Sequence, residues 1–122
     1  MIQMTVITLP DQPYVKIETD EILIRDAQSA LDLIASVRMQ TDCDRVAIPR
    51  EAFESSFFRL STGLAGEVLQ KFVNYRMKLS IFGDFSREKS KPQMDFIKET
   101  NRGNQIFFVS TAEEAGLRLC AG

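Results

Sequence analysis

Short β-rich runs alternate with amphipathic helical stretches along most of this chain, and no other feature narrows its fold as far. A strand, a helix and a second strand of the same sheet make a right-handed crossover, so repeated alternation predicts a mostly parallel sheet flanked by helices. The first twenty residues depart from that rhythm. Ile2 to Leu9 and Tyr14 to Thr19 are rich in β-formers, and Pro10-Asp11-Gln12-Pro13 between them has turn chemistry, which predicts an antiparallel hairpin. In its second strand Val15 and Ile17 alternate with Lys16 and Glu18, so one face is expected to be wet. Glu21-Ile22-Leu23-Ile24 reads equally as a strand extension or a loop.

Beyond the hairpin, Asp26 is placed to cap a helix. Ala27, Ala30, Leu31, Ile34 and Val37 follow at helical spacing, with Ser29, Asp32 and Ser36 opposite. Arg45 to Ile48 is a short apolar strand stopped by Pro49. Arg50 to Leu60 is a long connection, read as a partly helical flap over Phe53, Phe57 and Phe58. A second helix is expected from about Ser61 to Arg76, with Leu64, Val68, Leu69, Phe72 and Tyr75 inward and Glu67 and Lys71 paired on the wet face. Leu79 to Phe82 is the next strand, closed by Gly83-Asp84. Ser90-Lys91-Pro92-Gln93 opens a third helix, with a serine cap, proline in the first turn and glutamine reaching back. Phe96 and Ile97 anchor that helix and Asn101-Arg102-Gly103 ends it. Ile106-Phe107-Phe108-Val109 is a strand buried on both faces, and Thr111-Ala112-Glu113-Glu114 is a capping box for a last helix with Ala115 and Leu119 inward. The order is β-β-α-β-α-β-α-β-α, one α/β domain over residues 1–122.

Composition narrows the function classes. A chain of 122 residues forms one core, and 44% hydrophobic with 26% charged residues is ordinary globular usage. The net charge is −2 with basic residues dispersed among acids, so no basic stripe is offered to nucleic acid. The start Met1-Ile2-Gln3-Met4-Thr5-Val6 lacks a basic leader segment and no apolar run approaches a membrane span, which predicts a cytoplasmic protein with no membrane association. Histidine is absent, which removes the usual general base near neutral pH, the commonest metal ligand and every serine or cysteine triad that needs it. No segment sets two acids in an apolar pocket, no nucleotide-binding glycine pattern is present, and no metal or cofactor is expected. Cys43 between Asp42 and Asp44, and Cys120 near a helix end, are expected to be unpaired thiols with little nucleophilic character. Binding rather than catalysis is the expectation.

Two resemblances bear on what is bound. Leu60-Ser61-Thr62-Gly63-Leu64, followed by Lys71, Arg76 and the strand Leu79-Ser80-Ile81-Phe82-Gly83, resembles STAS domains (sulphate transporter and anti-sigma-factor antagonist). Antagonists of that family commonly carry Asp-Ser-(Ser/Thr)-Gly-Leu at this helix start and are phosphorylated on the serine; here Leu60 stands in place of the aspartate. A longer run is similar to a bacterial family of no assigned activity, domain of unknown function family 4180. It takes in Thr62-Gly63-Leu64-Ala65-Gly66-Glu67-Val68-Leu69-Gln70-Lys71-Phe72, Asn74-Tyr75-Arg76, Gly83-Asp84-Phe85-Ser86 and Asp95-Phe96-Ile97-Lys98-Glu99-Thr100-Asn101, and it is strongest from Phe57 to Ser110.

The candidate site residues each carry two readings. Ser61 is an N-cap by its position, worth about 1 kcal/mol, and a phosphorylation or partner-contact site by the STAS resemblance, with Thr62 next in line for either role. Gly63 and Gly66 allow close packing of the helix start, or expose amides to an anion. Asp84, Ser86 and Arg87 follow a strand at its carboxyl end, where open α/β sheets bind ligands, and belong on one rim with Ser61 and Ser110. Phe57 is core beneath the flap, or part of a docking patch. Two functions compete: a regulatory module that docks a protein partner through this rim, and a small-molecule or anion sensor with a cavity lined by Phe57, Asp84, Arg87 and the Gly63–Gly66 helix start. An enzyme using Asp84 or Glu67 is the third.

Overall fold

A computed structural model describes residues 2–8, 12–86 and 90–120. Among them, five strands form one sheet in the order β1 (Gln3–Thr8), β2 (Pro13–Glu18), β3 (Arg45–Pro49), β4 (Lys78–Phe82) and β5 (Ile106–Val109). Four helices complete the domain: α1 (Ala27–Thr41), α2 (Leu64–Asn74), α3 (Lys91–Arg102) and α4 (Ala112–Cys120). β1 is antiparallel to β2, with Val6 opposite Val15. The remaining pairs are parallel and in step, with Val15 opposite Val46, Val46 opposite Leu79, and Leu79 opposite Ile106. The element order and the hairpin are as expected. Of the predicted turn, Pro10 and Asp11 lie outside the described residues, and Pro13 belongs to β2.

Each crossover moves one strand in the same direction, so handedness puts α1, α2 and α3 on one face of the sheet. Val15, Ile17, Val46, Ile48, Leu79, Ile81, Ile106 and Phe108 face those helices and meet Ala30, Ile34 and Val37 of α1 and Val68, Leu69 and Phe72 of α2. α4 covers the other face, where Ala115 and Leu119 pack on Tyr14, Ala47, Phe107 and Val109. Covering both faces is why β3 and β5 read as unbroken apolar runs. Each large side chain so buried contributes roughly 1.5–3 kcal/mol. Within this second layer Ser80, fully buried, donates its hydroxyl to the Ala115 carbonyl at 3.2 Å.

The same layer narrows the wet face expected of β2 to its far end, where Glu18 is exposed. Lys16 is half-buried, and Tyr14 on that side is 4% exposed beneath α4. A Cβ added at Gly116 would approach the Tyr14 ring carbon Cζ to 2.6 Å, so glycine lets helix and ring meet. The inner stripe of α1 is also turned slightly, with Leu33 buried and Leu31 only half-buried. Its cap is as expected: Asp26 Oδ1 accepts from the Ser29 amide at 2.8 Å, and Ser29 Oγ accepts from the Asp26 amide at 3.0 Å. The Ser29 amide, and after it the Ser29 hydroxyl, hold the Asp26 carboxyl below its ordinary pKa. Glu21 to Ile24 is a loop that ends in a single parallel bridge between Ile24 and Phe53.

α3 and α4 show one local rule kept and one broken. Thr111 Oγ1 accepts from the Glu114 amide at 3.1 Å, which is the threonine half of the predicted capping box. Ser90 precedes α3, but its side chain makes no cap bond, and Gln93 donates to the Phe58 carbonyl instead of reaching back. Asn101, near the end of α3, donates to Phe108 O at 3.0 Å and accepts from Phe108 N at 2.7 Å, so its carboxamide stands in for a neighbouring strand along β5. Cys43 is buried, Cys120 is half-buried, and both are free thiols. Among the described residues no helix is long and apolar enough to cross a membrane.

Candidate functional site

At the carboxyl ends of β3, β4 and β5 the connections assemble into one rim. After Pro49 the chain makes three successive 3-10 turns, over Arg50–Ala52, Ser55–Phe58 and Leu60–Thr62, before α2 begins. This expected flap is pinned at both sides. Ile24 donates to the Ala52 carbonyl at 3.0 Å, and Glu54 donates to the Ile24 carbonyl at 2.8 Å. Phe53 and Phe57 are buried at 3% and 1% exposure, with Phe57 in ring contact with both Phe53 and Phe58 at 4.7 and 4.9 Å between centroids. Phe57 is therefore almost wholly core, as the first of its two readings expects.

The aromatic contacts run on across the rim. Phe58 meets Phe85 at 6.0 Å, and Phe85 meets Phe108 edge-on at 5.5 Å. The Arg50 guanidinium lies over both the Phe58 ring at 4.5 Å and the Phe85 ring at 4.9 Å, and donates to the Asp84 carbonyl at 2.6 Å. Residues after β3 are thereby tied to residues after β4. Sequence reading gives Arg50 no role on this rim and takes Gln93 only as a capping glutamine. A cation placed directly after the proline that ends a parallel strand is the signal available for the first. Nothing local marks the second, because its partner lies 35 positions away.

The placement of Ser61 is a correction. α2 starts at Leu64 rather than Ser61, because Gly63 takes a left-handed φ of 74° between the last 3-10 turn and the helix. Ser61 sits inside that turn, is exposed, and its hydroxyl makes no hydrogen bond among the described residues. Thr62 does the structural work. Its Oγ1 accepts from the Leu64 amide at 3.2 Å and lies 2.8 Å from the carbonyls of Ser56 and Arg59, to which it donates. Gly66 is exposed, and added Cβ atoms at Gly63 and Gly66 would meet nothing within 4 Å. Close packing is thus the reason for neither glycine; Gly63 serves its backbone conformation.

Asp84 and Ser86 lie on the rim as an exposed local turn, in which Asp84 Oδ1 accepts from the Ser86 amide at 2.9 Å and hydroxyl at 2.5 Å. Arg87 lies outside the described residues. A narrow crevice between Phe57, Phe96 and Phe108 holds about 20 Å³, room for one water. A shallow open depression of about 200 Å³ flanks Arg50, Glu51 and Ser55. No group of three or more metal-ligating side chains gathers among the described residues. The arrangement offers an exposed hydroxyl at Ser61, a carboxylate turn at Asp84 and a stacked arginine.

Neither the curated proteins nor the solved structures contain a match to this chain. One family model matches, under the description Domain of unknown function (DUF4180), over residues 10–119. That span includes every strand from β2 onward, all four helices but for the last residue of α4, and the whole rim, so the chain belongs to the DUF4180 family.

Proposed function

We propose that this domain is a non-enzymatic, STAS-like regulatory module of the bacterial cytoplasm that docks a protein partner on the rim carrying Ser61, with phosphorylation of Ser61 as the switch. The observation that carries this reading is a division of labour between neighbours. Thr62 holds the turn and the first helical amide, while the Ser61 hydroxyl beside it is exposed and unbonded among the described residues. A hydroxyl with no structural duty is open to a kinase and to a partner. The small-molecule or anion alternative draws on the depression beside Arg50, and a saturating ligand there, at a hundred times its Kd, would raise stability by about 2.7 kcal/mol in a melting screen.

A phosphate on Ser61 stands just before α2, where the helix dipole favours negative charge by about 0.3–1 kcal/mol, so the fold survives it. A partner packed over the hydroxyl meets instead a buried charge lacking a cation, at a cost of about 2–5 kcal/mol, or roughly thirty- to several-thousand-fold in affinity. The test is a pull-down from native lysate with wild type, Ser61→Ala, Ser61→Glu and Thr62→Ala, beside thermal melts of all four. Ser61→Ala is expected to keep both stability and partner. Ser61→Glu keeps stability and loses the partner, and Thr62→Ala loses about 0.5–2 kcal/mol of stability. Equal retention by wild type and Ser61→Glu, or unfolding of Ser61→Glu, would contradict the switch.

A further inference from the structure

The two edges of the sheet are treated differently. On β5 the Asn101 carboxamide occupies both main-chain groups of Phe108. β1 has no such guard. It runs Gln3-Met4-Thr5-Val6-Ile7-Thr8 with no charged residue and no proline, and it pairs with β2 through six consecutive partners without a bulge. Proteins ordinarily protect a free edge with lysine, proline, a bulge or a covering segment, because alternate residues point unpaired N–H and C=O groups outward. Among the described residues no segment other than β2 hydrogen-bonds to this strand. Ile2 and Val6 beside it are 44% and 49% exposed.

We infer that β1 pairs antiparallel with β1 of a second copy of this chain, joining the two sheets edge to edge. A two-fold axis normal to the sheet produces that pairing. Centred on Thr5, it gives residues 2–8 of each copy a partner, with Met4 of one copy opposite Val6 of the other, twice over. Met4 and Val6 both lie on the face of β1 that carries Val15 and Ile17, so the apolar side chains of the two copies meet on one side. An uncharged strand brings no like charges together in this self-pairing. The Asn101 bonds on β5 stop the sheet from growing further at its far edge, so association closes at two copies.

Sedimentation velocity over a concentration series tests this on the intact chain. Wild type is expected to sediment at twice 13.8 kDa at high concentration. Val6→Lys, which sets an ammonium against Met4 of the second copy, raises the dissociation constant by roughly tenfold or more while the far-ultraviolet spectrum stays unchanged. Thr8→Lys, at the exposed end of the strand opposite Ile2 of the second copy, repeats the test should Val6→Lys fold poorly. A wild type that is monomeric throughout, including one that binds an unrelated extended peptide on β1, overturns the inference. So does a dimer indifferent to both lysines.

Discussion

Tyr14 ties one side chain to the pH behaviour of the fold. Its phenol is buried against Gly116 under α4, and that burial, with Cys120 and then Glu113 close by, pushes its pKa above the ordinary 10.0. The native state then holds the phenolic proton more tightly than the unfolded chain does. Stability is expected to be intact below pH 10 and to fall as pH rises from there through the higher native pKa. Chemical denaturation of wild type and Tyr14→Phe between pH 8 and about 11 checks it. The variant should show a shallower loss, and identical slopes would contradict the assignment. The pattern Val15-Lys16-Ile17-Glu18 does not foretell this burial, because the covering helix lies about a hundred residues further along. At the other extreme the Asp26 cap was legible, since its partner Ser29 sits three residues away.

Among the elements, α2 carries both the inner stripe and the rim. Val68, Leu69 and Phe72 are buried as the helical spacing predicts, whereas Leu64 is half-buried and Tyr75, at the C-cap, is half exposed. Phe72→Ala is expected to cost about 3–5 kcal/mol, and Glu67→Ala under roughly 0.5 kcal/mol. Gly66→Ala should be neutral or stabilising by up to about 1 kcal/mol, because its Cβ enters open space on a helix. Urea unfolding of the three variants decides the matter, and a Glu67 cost above that of Phe72 would mean a helix rotated from the one described. The start of α2 was misplaced by three residues for a physical reason. Serine is a strong cap former, but a glycine two positions on can end one turn and begin another, and composition does not say which. Ser90 and Gln93 failed likewise, the local capping bond giving way to a contact with Phe58 across the rim.

For the molecule as a whole, the mostly parallel sheet followed from the alternation of strands and helices, and the rim from the rule that parallel sheets present their carboxyl ends. What closes that rim did not follow. The Arg50 stack on Phe58 and Phe85 joins residues up to 35 positions apart. The function proposed for this surface is recognition of a partner by contact, with Ser61 at the focus. Site-specific photo-crosslinking in living cells asks this most directly, with a benzoylphenylalanine placed in turn at Ser61 and at Leu117, which is 63% exposed on α4 across the sheet. The expected result is a discrete adduct with another protein from position 61, absent from position 117. No adduct at 61, or the same adduct from both positions, would contradict a partner seated on the Ser61 rim.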